Sequence, residues 1–350
     1  MKEFMGLFSD CQNNRSFHAL KASTVIFIAT IFLSSIAMNS VADSETIADS
    51  ETATATPQAL LERMGEAFKK QNYEGRFFYL NGDNVRSVKI VHGVFDGIER
   101  ERLVHLDGPP AEIVRNGNDI VCIHNGETVD RFEQKRSARI FPQRFAGQAL
   151  LDFYDARLTG DDRIAGREAQ RLRLIPKDRH RFGYVLWLDK ESGLLLKSVL
   201  LNQEGKPLEI FQYSQLEVGV DIDPAEFQQF ENSPFASMAN ETRNDVSAQW
   251  KVNWLPKGYK ESSAEVYRVS SGGNVIQTLM YTDGLSAFTL FFEPSVMTEQ
   301  LPPVTRKGPT VAISRKIDAG EPSVLVTIVG ELPEIAAQNI LSSIQWVNEE

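Results

Sequence analysis

The sequence is short of the groups from which active sites and metal centres are built. Its 350 residues include two cysteines, Cys11 and Cys122, and five isolated histidines, His18, His92, His105, His124 and His180. No two histidines have the spacing that places both imidazoles on one metal, and no pair of cysteines completes a thiolate site. A Gly-x-Ser-x-Gly elbow and a phosphate-cradling Gly-x-x-x-x-Gly-Lys loop are both missing. The nearest approach to paired carboxylates, Asp152 with Asp155 or Asp161 with Asp162, reads as solvated helix-end and loop positions. No catalytic residues, metal or cofactor are expected.

Long apolar runs are also lacking. Ala22 to Ala37 is an apolar stretch of about 16 residues, short of the ~20 that a spanning helix needs. Lys21 precedes it and the small residues Ser40-Val41-Ala42 follow, so residues 1–42 read as a cleaved signal peptide, with a retained N-terminal anchor as the alternative. Positive charge is in deficit too: 37 Lys and Arg face 47 Asp and Glu. Loss of the leader removes three basic and two acidic residues and leaves a net charge of −11. That excludes bulk nucleic-acid binding. Cys11 would leave with the leader, and Cys122, in an apolar strand pattern, reads as a buried thiol.

What is present is strand. Residues 43–56, with Asp-Ser-Glu-Thr twice over, form a polar tether. Pro57 opens a helix whose Leu60, Leu61, Met64, Ala67 and Phe68 share one stripe. A strand, Tyr73 to Leu80, carries Phe77, Phe78 and Tyr79. Val88 to Phe132 then reads as an antiparallel meander with one apolar face. Its runs end at Asp96-Gly97, Asp107-Gly108, Asn116-Gly117 and Asn125-Gly126, pairs that tolerate the positive φ of tight hairpins. Alternation assigns Val88, Ile90 and Val94, then Ile98, Val104 and Leu106, then Ala111, Ile113 and Arg115, and then Ile120 and Cys122 to single faces. A short helix near Phe145–Phe153 is followed by strands at Gln170–Ile175, Phe182–Leu188, Leu194–Leu201 and Leu208–Tyr213.

Residues 231–246 lose this periodicity and read as a linker between domains at 57–230 and 247–350. The second domain shows about five strands and a final helix opened by Pro333, with Ala337, Ile340, Leu341 and Ile344 on one stripe.

Two features could bind something. The first is the apolar inner face: Leu60, Met64, Phe77, Leu106, Ile113, Ile120, Tyr184, Leu186 and Leu188 are the candidates for taking an acyl chain, against an ordinary filled core. The second is local positive charge. Arg131, Arg136 and Arg139 crowd one loop, and Arg163, Arg171 and Arg173 another. Both are candidates for anionic groups, against solvated ion pairs.

Five stretches carry a family resemblance: Leu106-Asp107-Gly108-Pro109, Val185–Asp189, Trp254-Leu255-Pro256-Lys257-Gly258, Tyr281-Thr282-Asp283-Gly284-Leu285 and Thr327–Pro333. In this order, over roughly residues 57–345, the chain resembles the RseB/MucB family of periplasmic regulators of envelope-stress sigma factors. The resemblance implies a half-open antiparallel β-barrel with helical cover, of the LolA/LolB type, plus a smaller antiparallel sheet with one helix. It further implies a periplasmic, non-enzymatic protein that binds the periplasmic part of an RseA/MucA-like anti-sigma factor and blocks its cleavage. Lipopolysaccharide or lipoprotein acyl chains would release it, and a homo-oligomer is compatible with it. The rival readings are a periplasmic lipid or lipoprotein carrier and an envelope hydrolase built on Asp152 and Asp155.

Overall fold

The computed structural model describes residues 56–133, 150–228, 250–268, 275–294, 303–317 and 323–347, with no side-chain detail at 129–133, 263–268 and 275. The expected leader, residues 43–55 of the tether and the expected linker lie outside the described residues.

Helix α1 (Pro57–Lys70) begins where the sequence predicts: Pro57 is its first residue, and the Thr56 hydroxyl accepts a hydrogen bond from the Ala59 N–H at 3.2 Å. Its stripe of Leu60, Leu61, Met64, Ala67 and Phe68 is buried, each side chain contributing about 1.5–3 kcal/mol by leaving water. The helix is tied down at Arg63, which donates to the carbonyls of Lys190 and Glu191, and at Gln71, which donates to the Ser192 carbonyl at 2.9 Å.

Around α1 runs an eleven-stranded antiparallel sheet. In chain order its strands are β1 (Tyr73–Asn81), β2 (Asn84–Phe95), β3 (Ile98–His105), β4 (Ala111–Asn116), β5 (Asp119–His124), β6 (Glu127–Glu133), β7 (Tyr154–Ile164), β8 (Arg167–Pro176), β9 (Gly183–Asp189), β10 (Leu195–Leu201) and β11 (Pro207–Val218), with α2 (Leu150–Phe153) before β7. In space they lie in the order β6-β5-β4-β3-β2-β1-β11-β10-β9-β8-β7. The seam at β1–β11 joins two meanders, and β6 and β7 are left as edges, so the sheet is a half-open barrel with a helix inside its curve. The predicted hairpins form: Asp96 and Gly97, and Asn125 and Gly126, all take positive φ.

Three expectations are corrected. First, β3 presents the opposite face to the one its apolar residues suggest. Leu103 is buried in the main core, whereas Ile98 and Leu106 are each 47% exposed on the outer side. The other inward positions of β3 are polar (Glu99, Glu101 and His105), and Arg115 of β4 pairs with Glu99 and Glu101. Charge that is neutralised inside looks like a solvent face in a one-dimensional pattern.

Second, the outer face of β2–β5 is covered rather than wet. Val91, Val114, Val121 and Ile123 form a separate core with Ile222 and Phe227, from the segment that follows β11. Arg102 anchors that segment through Glu226 at 2.9 Å. Third, Cys122 is fully buried, as its apolar strand pattern suggests, but disulfide-bonded rather than a free thiol.

A second unit follows. Strands β13 (Lys260–Arg268), β14 (Val275–Thr282), β15 (Ala287–Pro294), β16 (Thr305–Lys307), β17 (Thr310–Ile317) and β18 (Val324–Glu331) form a sheet of order β13-β14-β15-β18-β17-β16. Helix α3 (Glu334–Ser343) covers it. The ends of the unit are joined by the two-stranded pair of β12 (Trp250–Val252) with β19 (Ile344–Trp346). Pro333 is the residue capping α3 rather than its first turn.

Candidate functional site

The inner face of the large sheet brings the expected apolar residues together. Leu60 and Met64 from α1, Phe77 from β1, Ile113 from β4, Ile120 from β5, and Tyr184, Leu186 and Leu188 from β9 are all buried in one core. Leu106 is absent from it, for the reason given by β3. The face is well ordered by aromatic packing: Phe77 meets Phe211 and Tyr213 edge-on at 5.0 and 5.8 Å.

Across one end of this face runs a polar row. Tyr73, His92, Glu101 and Arg115 are successive cross-strand neighbours on β1 to β4. The His92 ring stacks on Tyr73 at 4.6 Å and its Nδ1 lies 2.9 Å from the Gln71 carbonyl oxygen. Arg115 donates to Glu101 at 3.3 Å, to Glu99 at 3.1 Å and to the Gly117 carbonyl at 3.1 Å. Burial lowers the His92 pKa, so the imidazole stays neutral, and burial raises the Tyr73 and Tyr213 hydroxyls. The row is held together by these pairings, except at His92 Nε2, which is buried without a hydrogen-bond partner.

The arginines do not share that surface. Arg171 and Arg173 alternate with the inward Leu172 and Leu174, so they point outward. Arg171 is bound to Thr159, through its carbonyl at 2.6 Å and its hydroxyl at 3.0 Å. Arg173 is exposed, directly opposite Arg157. Arg163 is exposed beside the β7–β8 turn. Arg131 lies in β6 opposite Val121, with its side chain outside the described residues, as are Arg136 and Arg139 altogether. Arg171 and Arg173 thus lie on the face of the sheet opposite the apolar residues.

The carboxylate pairs are structural. Asp155 lies 3.8 Å from Lys177, Asp161 pairs with Lys190 at 2.6 Å, and Asp162 accepts from the Trp187 indole at 3.0 Å, which lowers its pKa. Asp152 is exposed on α2. Among the described residues no three His, Cys, Asp or Glu side chains are placed to hold a metal.

One site was not legible as such: the junction between the units. Arg181, 2% exposed, lies at its centre. Its guanidinium donates to Asp178 of the first unit, to Asp283 Oδ2 of the second at 3.0 Å and to the Lys257 carbonyl at 2.6 Å, and it lies 4.8 Å over the Phe153 ring. Phe153 in turn fits against Gly258, where a methyl group would fall 2.4 Å from the ring. At φ +95 that residue must also be glycine. His180 meets Trp254 edge-on at 5.0 Å. Two of the five resemblance stretches, Trp254–Gly258 and Tyr281–Leu285, therefore converge on Arg181, a residue that reads as one more surface arginine in a basic run. The signal that could have found it is Leu285, an apolar residue placed just after an Asp-Gly turn.

The fold and site define a two-unit, all-antiparallel scaffold whose larger unit wraps an apolar core. Comparison with known proteins places it. The model of the MucB/RseB N-terminal domain matches residues 56–230 and that of the MucB/RseB C-terminal domain residues 244–345. The chain belongs to the MucB/RseB family. It is 34% identical over 298 residues to the sigma factor AlgU regulatory protein MucB of Pseudomonas aeruginosa, covering 84% of this chain and 92% of that one. It is 29% identical over 304 residues to the sigma-E factor regulatory protein RseB of Escherichia coli, covering 85% and 93%. Among solved structures, MucB in complex with MucA(peri) matches with a TM-score of 0.70 at 31% identity, over 84% of this chain and all of that one. A crystal structure of MucB alone matches over the same share at 0.59. The two MucB structures therefore differ from each other, and this chain lies nearer the complexed one.

Proposed function

We propose that this protein is a periplasmic, non-enzymatic regulator that binds the periplasmic part of a MucA-like anti-sigma factor, shields it from regulated proteolysis and lets go on a lipid or lipoprotein signal. The observation that carries the reading is the likeness, through both units, to MucB bound to MucA(peri). In this reading residues 1–42 export the chain, 43–56 are a tether, 57–230 form the N-terminal domain, and 231–246 link it to a C-terminal domain at 247–350. The lipid would enter the inner core among Leu60, Met64, Phe77, Ile113, Ile120, Tyr184, Leu186 and Leu188. Arg163, Arg171 and Arg173, together with Arg131, Arg136 and Arg139, would attract anionic groups over the ~8 Å that salt permits. A carrier needs only the first unit; the buried Arg181–Asp283 contact ties a second unit to it and favours the regulator.

The test is protease protection. The periplasmic part of the anti-sigma factor is incubated with its first regulatory protease, with and without an excess of this protein. Cleavage should slow at least about tenfold, a loss of about 1.4 kcal/mol of accessibility. An unchanged cleavage rate rejects the reading.

A further inference from the structure

We propose that the Asp283–Ser286 turn of the second unit is a plug: Leu285 completes the apolar core of the first unit, and an acyl chain entering that core displaces it and uncouples the two units. The consequence for partner release rests on the regulator reading above; the plug itself does not.

Leu285 follows Gly284 in the turn between β14 and β15, a place where an apolar side chain ordinarily meets water. Here it is 2% exposed and belongs to the core of the first unit, with Tyr184 and Leu186, rather than to that of its own. The turn that carries it is stiff. Asp283 Oδ1 accepts from the N–H groups of Leu285 and Ser286, each at 2.9 Å, and Thr282 Oγ1 accepts from Gly284 N–H at 3.0 Å. Ser286 is bound to the buried Tyr259 hydroxyl.

The same aspartate spends its other oxygen on Arg181. Aim and anchorage thus fall on one residue: Asp283 holds the clasp and shapes the loop that presents Leu285. The Arg181 and Asp283 side chains are 1% and 2% exposed, so neither can leave the other without a partnerless buried charge or entry of water. Withdrawing the plug breaks the clasp, and the junction has two arrangements with little between.

Leu285 and an acyl chain present the same chemistry to the same core, so they exclude one another. Whatever factor the docked turn takes from acyl affinity, a bound acyl chain takes from docking. A saturated single chain is the ligand class, because the core that Leu285 joins is built of apolar and aromatic residues and Arg181 is already bound to two carboxylates and a carbonyl.

The experiment uses the full chain and dansyl-undecanoic acid, titrated by fluorescence. L285A should bind this probe about tenfold more tightly than the wild type. L290A, an equal truncation in the core of the second unit, should bind it as the wild type does. Thermal melts confirm that both variants fold. A second measurement needs no variant: in the wild type the fatty acid should accelerate amide exchange at Lys257–Tyr259 and Asp283–Ser286. If folded L285A shows no gain over L290A, the plug is rejected whatever the exchange does. If L285A does not fold, unchanged exchange rejects the plug and accelerated exchange supports it. The protection assay is run alongside. Protection without an acyl gain in L285A leaves the regulator standing and removes the plug, and an acyl gain without protection does the reverse.

Discussion

The core of the second unit is drawn from its own residues. Trp250 stacks on Phe292 at 4.6 Å and meets Trp346 at 4.7 Å, while Ala336, Ala337, Ile340 and Leu341 of α3 close over the sheet. The first unit is larger, yet its core admits His92, Glu101 and Arg115 at one end and borrows Leu285 from its neighbour. Size and self-sufficiency run in opposite directions here. A six-stranded sheet with one helix closes its core from its own residues, and an eleven-stranded half-open sheet around a 14-residue helix takes in one from its neighbour. That dependence makes the first unit the one that conditions and substitutions should reach.

The largest effect is expected at the junction. Arg181→Ala leaves Asp283 buried without its partner and should cost about 3–5 kcal/mol in urea unfolding. It should also split the transition, the first unit melting before the second. The double change R181M with D283N removes both charges while keeping the Oδ1 acceptor of the turn, and should recover part of the loss. A single, unsplit transition in R181A would place the two units in one cooperative body.

Acid should separate the units next. All the histidines precede residue 181, and burial lowers the pKa of His92, and that of His105 to about 4. Below pH 6.5 the unfolded chain binds protons that the native one refuses, so this stability is complete above pH 6.5 and is lost as pH falls towards 4. A loss on the order of 1–2 kcal/mol is expected for the first unit between pH 7 and 5, with the second unit unmoved. Differential scanning calorimetry across that range checks it. The smallest effect contrasts the two main helices. Thr56→Ala removes the side-chain cap of α1 and should cost ~1 kcal/mol. Helix α3 has no such cap hydrogen bond at Pro333, so Pro333→Ala should change stability less, as read by urea midpoints.

Much of the fold was legible because turns and stripes are local. Asp96-Gly97 and Asn125-Gly126 fall where chain reversal needs positive φ, and the α1 stripe is the stripe that is buried. Strand β7 escaped notice: it contains Gly160, a register shift between Leu158 and Asp161, and five charged residues, so it carries almost no alternation. The inner face of β3 was misassigned because Glu99 and Glu101 find Arg115 only across strands, through pairing that no local pattern carries. Eight of the nine apolar site residues lie together in the core, since burial follows side-chain chemistry. The junction was hidden because an arginine at the surface and one saturated by Asp178, Asp283 and a carbonyl are the same letter.

The seam between β1 and β11 has a consequence for how the chain acquires its structure. β1 pairs on one side with β2, its next strand, and on the other with β11, where Tyr79 reaches Glu209 across 130 residues. The β1–β6 meander can assemble from its own hairpins, but its inner face stays open until Pro207–Val218 arrives to join the two halves. Closure of so long a loop is slow relative to hairpin formation. For that interval Phe77, Ile90, Ile113 and Ile120 are uncovered, and the newly made chain offers its widest apolar surface before it offers any native one. A holding chaperone for this protein would recognise the first meander, and would be shed when the eleventh strand docks.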